Sequence, residues 1–150
     1  MNPNTIYFQS KGFPEFRFLS NFHICEFKDL KYTYQSVEHY YQSQKCSDPV
    51  EALDIINSSH PAVARRMGQK VARVGNWDDC RIHVMRNGCR MKFDQNKDLS
   101  EMLLATYPFE LIEYAPWGDV FWGVDRNYNG ANNLGIILME IRTNLIKGLT

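Results

Sequence analysis

Glu38, Gln42 and Lys45 stand at i, i+4 and i+7 in the segment SVEHYYQSQK at 36–45. On a helix this spacing aligns a carboxylate, an amide and an amine along one stripe. A carboxylate and an amine on one face can move protons or attack an electrophilic carbon. A solvated or salt-bridged surface would tolerate the same pattern. Val37, Tyr40, Tyr41 and Cys46 surround the stripe with apolar bulk, which leaves less open face than an amphipathic surface helix offers. His39 departs from the stripe and reads as a hydrogen-bonded packing residue. A second group lies in APWGDVFWGVDRNYNGANNLG, where Asp119, Trp122, Gly123, Asp125, Gly130 and Asn133 directly precede the last periodic segment. Glycine lets a backbone approach a ligand, and a helix start offers N–H groups to an anion. A glycine and asparagine turn pinned by two buried tryptophans explains the same residues. The loop has no GKS or GKT and no GxGxxG spacing, which counts against nucleotide hydrolysis and a Rossmann site.

These residues need elements to hold them. Ser36 is placed to cap a helix from Val37 to about Cys46, and Asp48, Pro49 and Glu51 supply a cap, a first-turn proline and an N3 acid for the next. A third helix is expected from Pro61 to near Gly75, carrying Val63, Met67 and Val71 with Arg65, Arg66, Lys70 and Arg73 around it. Those four basic residues could meet a sugar phosphate, but a helix so charged is more often simply wet. Asn76 or Asp78 can cap the longest helix, whose apolar positions are Ile82, Met85, Cys89 and Phe93. Asp98 opens a shorter one, and a final helix covers 133–146 with Ile137, Leu138, Ile141 and Leu145 inward and Gly148 as its stop. Residues 6–8 and 109–114 are β-prone, and 23–27 with 30–34 reads as a small hairpin or extended pair. The stretch 115–133 is longer than an ordinary connection, and long ordered loops are often functional.

The balance of 17 Lys plus Arg against 17 Asp plus Glu gives zero formal net charge, so no global field draws the chain to duplex DNA or lipid headgroups. Any phosphate site must be local. No apolar run suits a bilayer, and the first residues lack a signal-peptide layout, so a cytoplasmic, soluble protein with no membrane partner is expected. Cys25, Cys46, Cys80 and Cys89 form no CxxC pair and four His are scattered, which predicts reduced thiols and no metal site. Aromatic residues make up 13% and many adjoin polar ones, as in a pocket that stacks a planar ring or in a Tyr- and Phe-rich core. No repeat or linker marks a boundary, so one compact domain over 1–150, mainly α with a small β element, is the expected architecture.

Six segments in this order, FLSNF at 18–22, SVEHYYQSQK at 36–45, NWDDCRIHVM at 76–85, KF at 92–93, DVFWG at 119–123 and GANNLGIILMEIR at 130–142, resemble the YbiA-like NADAR family, named for its links to NAD and ADP-ribose. The resemblance spans nearly the whole chain. It implies a mainly helical YbiA-like fold and N-glycosidase chemistry with no cofactor. Such enzymes cleave ribosylamine N-glycosidic bonds in early riboflavin-pathway pyrimidine intermediates, and some remove ADP-ribose from guanine. Carried over residue by residue, it makes Glu38 and Lys45 the catalytic pair. It assigns Ser20, Asn21, Phe22, Gln42, Trp77, Asp78 or its neighbour Asp79, Asp119, Trp122, Gly123 and Asn133 or Asn132 to substrate binding. The chain departs from the family after WG, where 124–128 intervene before Asn129 and Gly130.

Cleavage of a ribosyl C–N bond builds positive charge on C1 and negative charge on the leaving nitrogen, so an anion near the sugar and a proton donor near the base are required. Glu38 suits the first task, by stabilising C1 or by activating water. Lys45 suits Schiff-base attack, proton donation or a phosphate contact. Trp77, Trp122 and Phe22 are candidates to stack on the base. Partners consistent with the resemblance are a small ribosylated base or ADP-ribosylated guanine, with nucleic acid and a non-catalytic ADP-ribose module as competing readings.

Overall fold

A computed structural model describes residues 2–148. In chain order the elements are β1 (Thr5–Phe8), a 3-10 segment (Pro14–Leu19), β2 (Phe27–Lys28), β3 (Thr33–Tyr34), α1 (Val37–Lys45), α2 (Pro49–Ile56), α3 (Pro61–Gly68), α4 (Trp77–Gln95), α5 (Lys97–Ala105), β4 (Glu110–Glu113) and α6 (Asn133–Gly148). The fold is mainly α, and its β content among the described residues is two short two-stranded pairs. The described residues form two units, one from 21–96 and one from 2–20 together with 97–148.

The unit of 21–96 is built around α1. Every residue from Val37 to Ser43 is buried, so the helix has no solvated face along its first seven positions. Ser36 caps it: Oγ accepts from the His39 N–H at 3.2 Å. His39 is the packing residue its position suggested, fully buried with Nδ1 2.7 Å from Ser36 Oγ and Nε2 3.1 Å from the Ser58 carbonyl. The Asp48 side chain accepts from the Val50 N–H at 2.9 Å and Pro49 opens α2. Phe27 and Tyr34 stack with ring centres 5.6 Å apart, and Tyr40 meets these two rings edge to face at 6.1 and 5.0 Å. On α4, Met85, Cys89 and Phe93 are buried, and the fully enclosed Lys92 ammonium sits 5.1 Å from the Phe93 ring centre.

Two expectations are corrected here. The extended pair is shorter than 23–27 with 30–34. The Asp29 carboxylate accepts from the Lys31 and Tyr32 N–H groups, both at 2.8 Å, which commits 29–32 to a turn and leaves only Phe27↔Tyr34 and Lys28↔Thr33 as strand pairs. The third helix stops at Gly68 rather than near Gly75. The backbone beyond it is engaged elsewhere: Ser47 N–H donates to Ala72 O and Val74 N–H to Lys45 O, each at 2.9 Å, with an antiparallel bridge between Cys46 and Arg73. A helix through 69–75 would forfeit those bonds.

In the other unit β1 and β4 run parallel, pairing Thr5↔Glu110 through Phe8↔Glu113. Leu134, Ile137, Leu138 and Ile141 of α6 are buried, while Leu145 is only half-buried. The long loop is ordered by its own polar groups. Asp119 Oδ1 accepts from the Phe121 and Trp122 N–H groups at 3.1 and 2.9 Å, and Val124 N–H donates to Glu113 O at 2.8 Å. At Gly123 a Cβ would run into that same Glu113 carbonyl, so only glycine allows the loop to lie so near β4.

Candidate active site

Within the unit of 21–96, α1 brings three predicted residues together. Glu38 is 7% exposed and Gln42 is 6% exposed, and Gln42 Nε2 donates to Glu38 Oε1 at 2.9 Å. The solvated-face alternative is excluded by that burial. Asn21 joins them through its backbone, whose carbonyl accepts from the Glu38 N–H at 3.1 Å, while its side-chain amide faces Met85 Sδ at 3.4 Å. Lys45, in the last turn of α1, is half-buried. Burial lowers its pKa below the ordinary 10.5, the Arg73 cation lowers it further, and Glu38 acts in the opposite direction. Desolvation alone would favour the free amine, and the carboxylate partly restores the ammonium. Next along the chain, Cys46 is pushed up to about 11, chiefly by burial, so its thiol stays protonated at neutral pH.

Arg73 extends this group. Its guanidinium is 3.6 Å from the Asp78 carboxylate in the first turn of α4, and both side chains are largely exposed. Arg65, Arg66 and Lys70 remain on α3 or just after it, but Arg73 stands in the extended segment that bridges Cys46. No local period marked this, because Val71, Ala72, Arg73 and Val74 do not alternate apolar with polar, and the extended course comes from the backbone bonds to Lys45 and Ser47. Trp77 is 3% exposed and its ring packs against Tyr41 with centres 5.0 Å apart, so core packing occupies most of it. Phe22 is half-buried, and Asp79 is exposed.

The other unit carries Ser20, Asp119, Trp122, Gly123, Asn132 and Asn133. Ser20 is buried and its N–H donates to Arg17 O at 3.0 Å. The half-buried Trp122 meets Phe121 edge to face at 4.7 Å, and Gly123 is buried. Asp119 uses one oxygen on the loop backbone, as described above. Asn132 and Asn133 take distinct positions. Asn132, at a positive φ of 52°, gives its amide to Leu111 O at 2.9 Å and accepts from the Glu113 N–H at 3.0 Å, which prolongs the β4 edge. Asn133 donates from Nδ2 to Phe121 O at 2.9 Å. Among the described residues no three His, Cys, Asp or Glu side chains gather as a metal site.

Comparison with known proteins agrees with the motif order. A model of the NADAR domain matches residues 7–146. The chain belongs to the NADAR family. An N-glycosidase YbiA from Shigella boydii is 39% identical to this NADAR chain over 128 residues, 84% of this chain and 79% of that protein. A riboflavin biosynthesis protein of Vibrio vulnificus is 38% identical over 130 residues, which are 85% of this chain and 35% of that longer protein. The NMR structure of Escherichia coli YbiA superposes with a TM-score of 0.87 at 36% identity, covering 99% of this chain and 89% of that one. As a NADAR protein with relatives of this likeness, the chain is an N-glycosyl hydrolase. No helix among the described residues is long and apolar enough to cross a membrane.

Proposed function

We propose that this enzyme hydrolyses the bond between ribose phosphate and an aminopyrimidine, as found in early riboflavin-pathway intermediates, with Glu38 as the essential carboxylate and Lys45 as its cationic or amine partner. The observation that carries the reading is the buried Glu38, held by Gln42 at 2.9 Å on the helix that ends in a half-buried lysine of lowered pKa. As the C–N bond breaks, its electron pair goes to the nitrogen of the base and a proton must follow, while C1 gains positive charge. The carboxylate faces that charge or removes a proton from the attacking water, whose oxygen forms the new bond to C1. Lys45 has two roles open to it. As a neutral amine it adds to C1 of the ring-opened sugar, the base leaves with its amino nitrogen and the C1–N bond pair, and water hydrolyses the resulting Schiff base to free the lysine. As an ammonium it donates the proton or meets the phosphate.

The names of the relatives support the substrate class, since both N-glycosidases and a riboflavin biosynthesis protein share this domain. The family model runs through both units, which supports treating the chain as one functional domain. None of the four cysteines forms a disulfide among the described residues, which suits a reducing, cytoplasmic setting. Asn21, Phe22, Trp77 and Asp78 on one unit, and Ser20, Asp119, Trp122, Gly123 and Asn133 on the other, are the proposed binding residues.

The test is a substrate panel of the two ribosylaminopyrimidine phosphates, ADP-ribosyl guanosine and NAD, with released base followed by mass spectrometry. Release from the pyrimidines alone is the expected result. Turnover of ADP-ribosyl guanosine alone would move the assignment to reversal of nucleic-acid ADP-ribosylation. Tight ADP-ribose binding with no base released would make the domain a reader.

A further inference from the structure

Helix α3 meets α1 through a residue without a side chain. Gly68 is buried at the end of α3, and a Cβ built on it would strike Oε1 of Gln42 and stand 2.6 Å from Cδ and 3.1 Å from Cβ of the same side chain. The three nearest obstacles therefore all belong to Gln42. Gly68 does not occupy the left-handed region, and glycine in a helix costs about 0.5–1 kcal/mol relative to alanine. Neither backbone conformation nor helix propensity accounts for it, and space does. Gln42 donates from Nε2 to Glu38 Oε1 at 2.9 Å, while its own Oε1 is buried with no hydrogen-bond partner among the described residues. That end of the amide is held by shape, against the bare Cα of Gly68.

We propose that Gly68 is a positioning residue for Glu38: the missing Cβ makes room for the Gln42 amide, and in that orientation its N–H fixes one oxygen of the carboxylate. The inference rests on Glu38 being the catalytic carboxylate. An alanine at 68 forces the amide to swing away, and Glu38 then loses the Gln42 donor that orients it in a buried environment. Catalysis suffers more than binding, because the carboxylate acts on charge that develops only in the transition state.

The experiment is a double-mutant cycle on ribosylaminopyrimidine phosphate: parent, Gly68→Ala, Gln42→Ala, the double variant, and Glu38→Gln as control, each with kcat, KM and a urea midpoint. Gly68→Ala should lower the urea midpoint and lower kcat by about 10- to 100-fold, with KM close to the parent. In the Gln42→Ala background the same change should alter kcat by less than about twofold, because only the Gln42 Cβ remains near and a small shift accommodates it. Equal losses in both backgrounds, or a parental kcat for Gly68→Ala, overturn the proposal. Should Gly68→Ala fail to fold, the double variant decides: folding with the kcat of Gln42→Ala supports positioning, and failure to fold makes Gly68 a packing residue only. The control separates the two possible failures. An inactive Glu38→Gln beside an unaffected Gly68→Ala removes the positioning role alone, whereas a fully active Glu38→Gln removes the carboxylate's role and the positioning role with it.

Discussion

Lys45 can discriminate between two chemistries at the anomeric carbon. A neutral amine that attacks C1 makes kcat/KM rise with pH along a limb set by Lys45, and an ammonium that donates a proton makes it fall. Burial and Arg73 place that limb below 10.5. The same shift has a stability consequence. Between the lowered folded pKa and 10.5 the unfolded chain holds more protons than the folded one, so stability rises with pH in that window. Urea unfolding of the parent and Lys45→Met should therefore show the parent gaining relative stability as pH climbs through it. Glu38→Gln should lower kcat by about 10²- to 10⁴-fold in a base-release assay, the usual contribution of a positioned acid or base. Spacing alone exposed the chemistry of these residues, since i, i+4 and i+7 align them on any helix. Their burial was not legible, because it comes from α2, α3 and α4 packing around α1. Gly68 was hidden for a related reason: near a helix end a glycine reads as a stop signal, and only the neighbouring helix reveals what it leaves room for.

At the scale of elements, helix starts were the most legible feature. Ser36, and Asp48 with Pro49, cap α1 and α2 where a local rule places them, because a cap uses partners two or three residues away. Ser36→Ala should cost about 1 kcal/mol in urea-measured stability, the usual loss for an N-cap, and more if His39 then lacks a partner for Nδ1. His39 adds a pH dependence of its own. Burial is the main cause lowering its pKa below 6.5, so the folded state resists protonation and stability falls as pH drops from 6.5 through the folded value. That fall should be smaller in His39→Gln, measured by urea unfolding at several pH values. The end of α3 and the β1 with β4 pairing were not legible. Both depend on backbone bonds to segments distant in sequence, which no local period reports.

For the molecule as a whole, zero net charge sets the expected response to salt. A small phosphorylated substrate held by local groups should show a shallow decline of kcat/KM with ionic strength. A polynucleotide making six to ten phosphate contacts would instead lose about 10³- to 10⁵-fold in affinity between low and moderate salt. A steep slope with modified oligonucleotide, and no activity on the free pyrimidine compound, would shift the assignment to nucleic acid.

The parallel pairing of Thr5–Phe8 with Glu110–Glu113 also bears on biogenesis. Translation releases the first strand long before its mate, so the amino-terminal segment must wait unpaired on the ribosome while 21–96 has all of its own sequence available to fold. Shortening the carboxy-terminal end of a nascent chain past Glu110 should thus leave that early edge exposed to proteases or chaperones, with the inserted helical portion already protected.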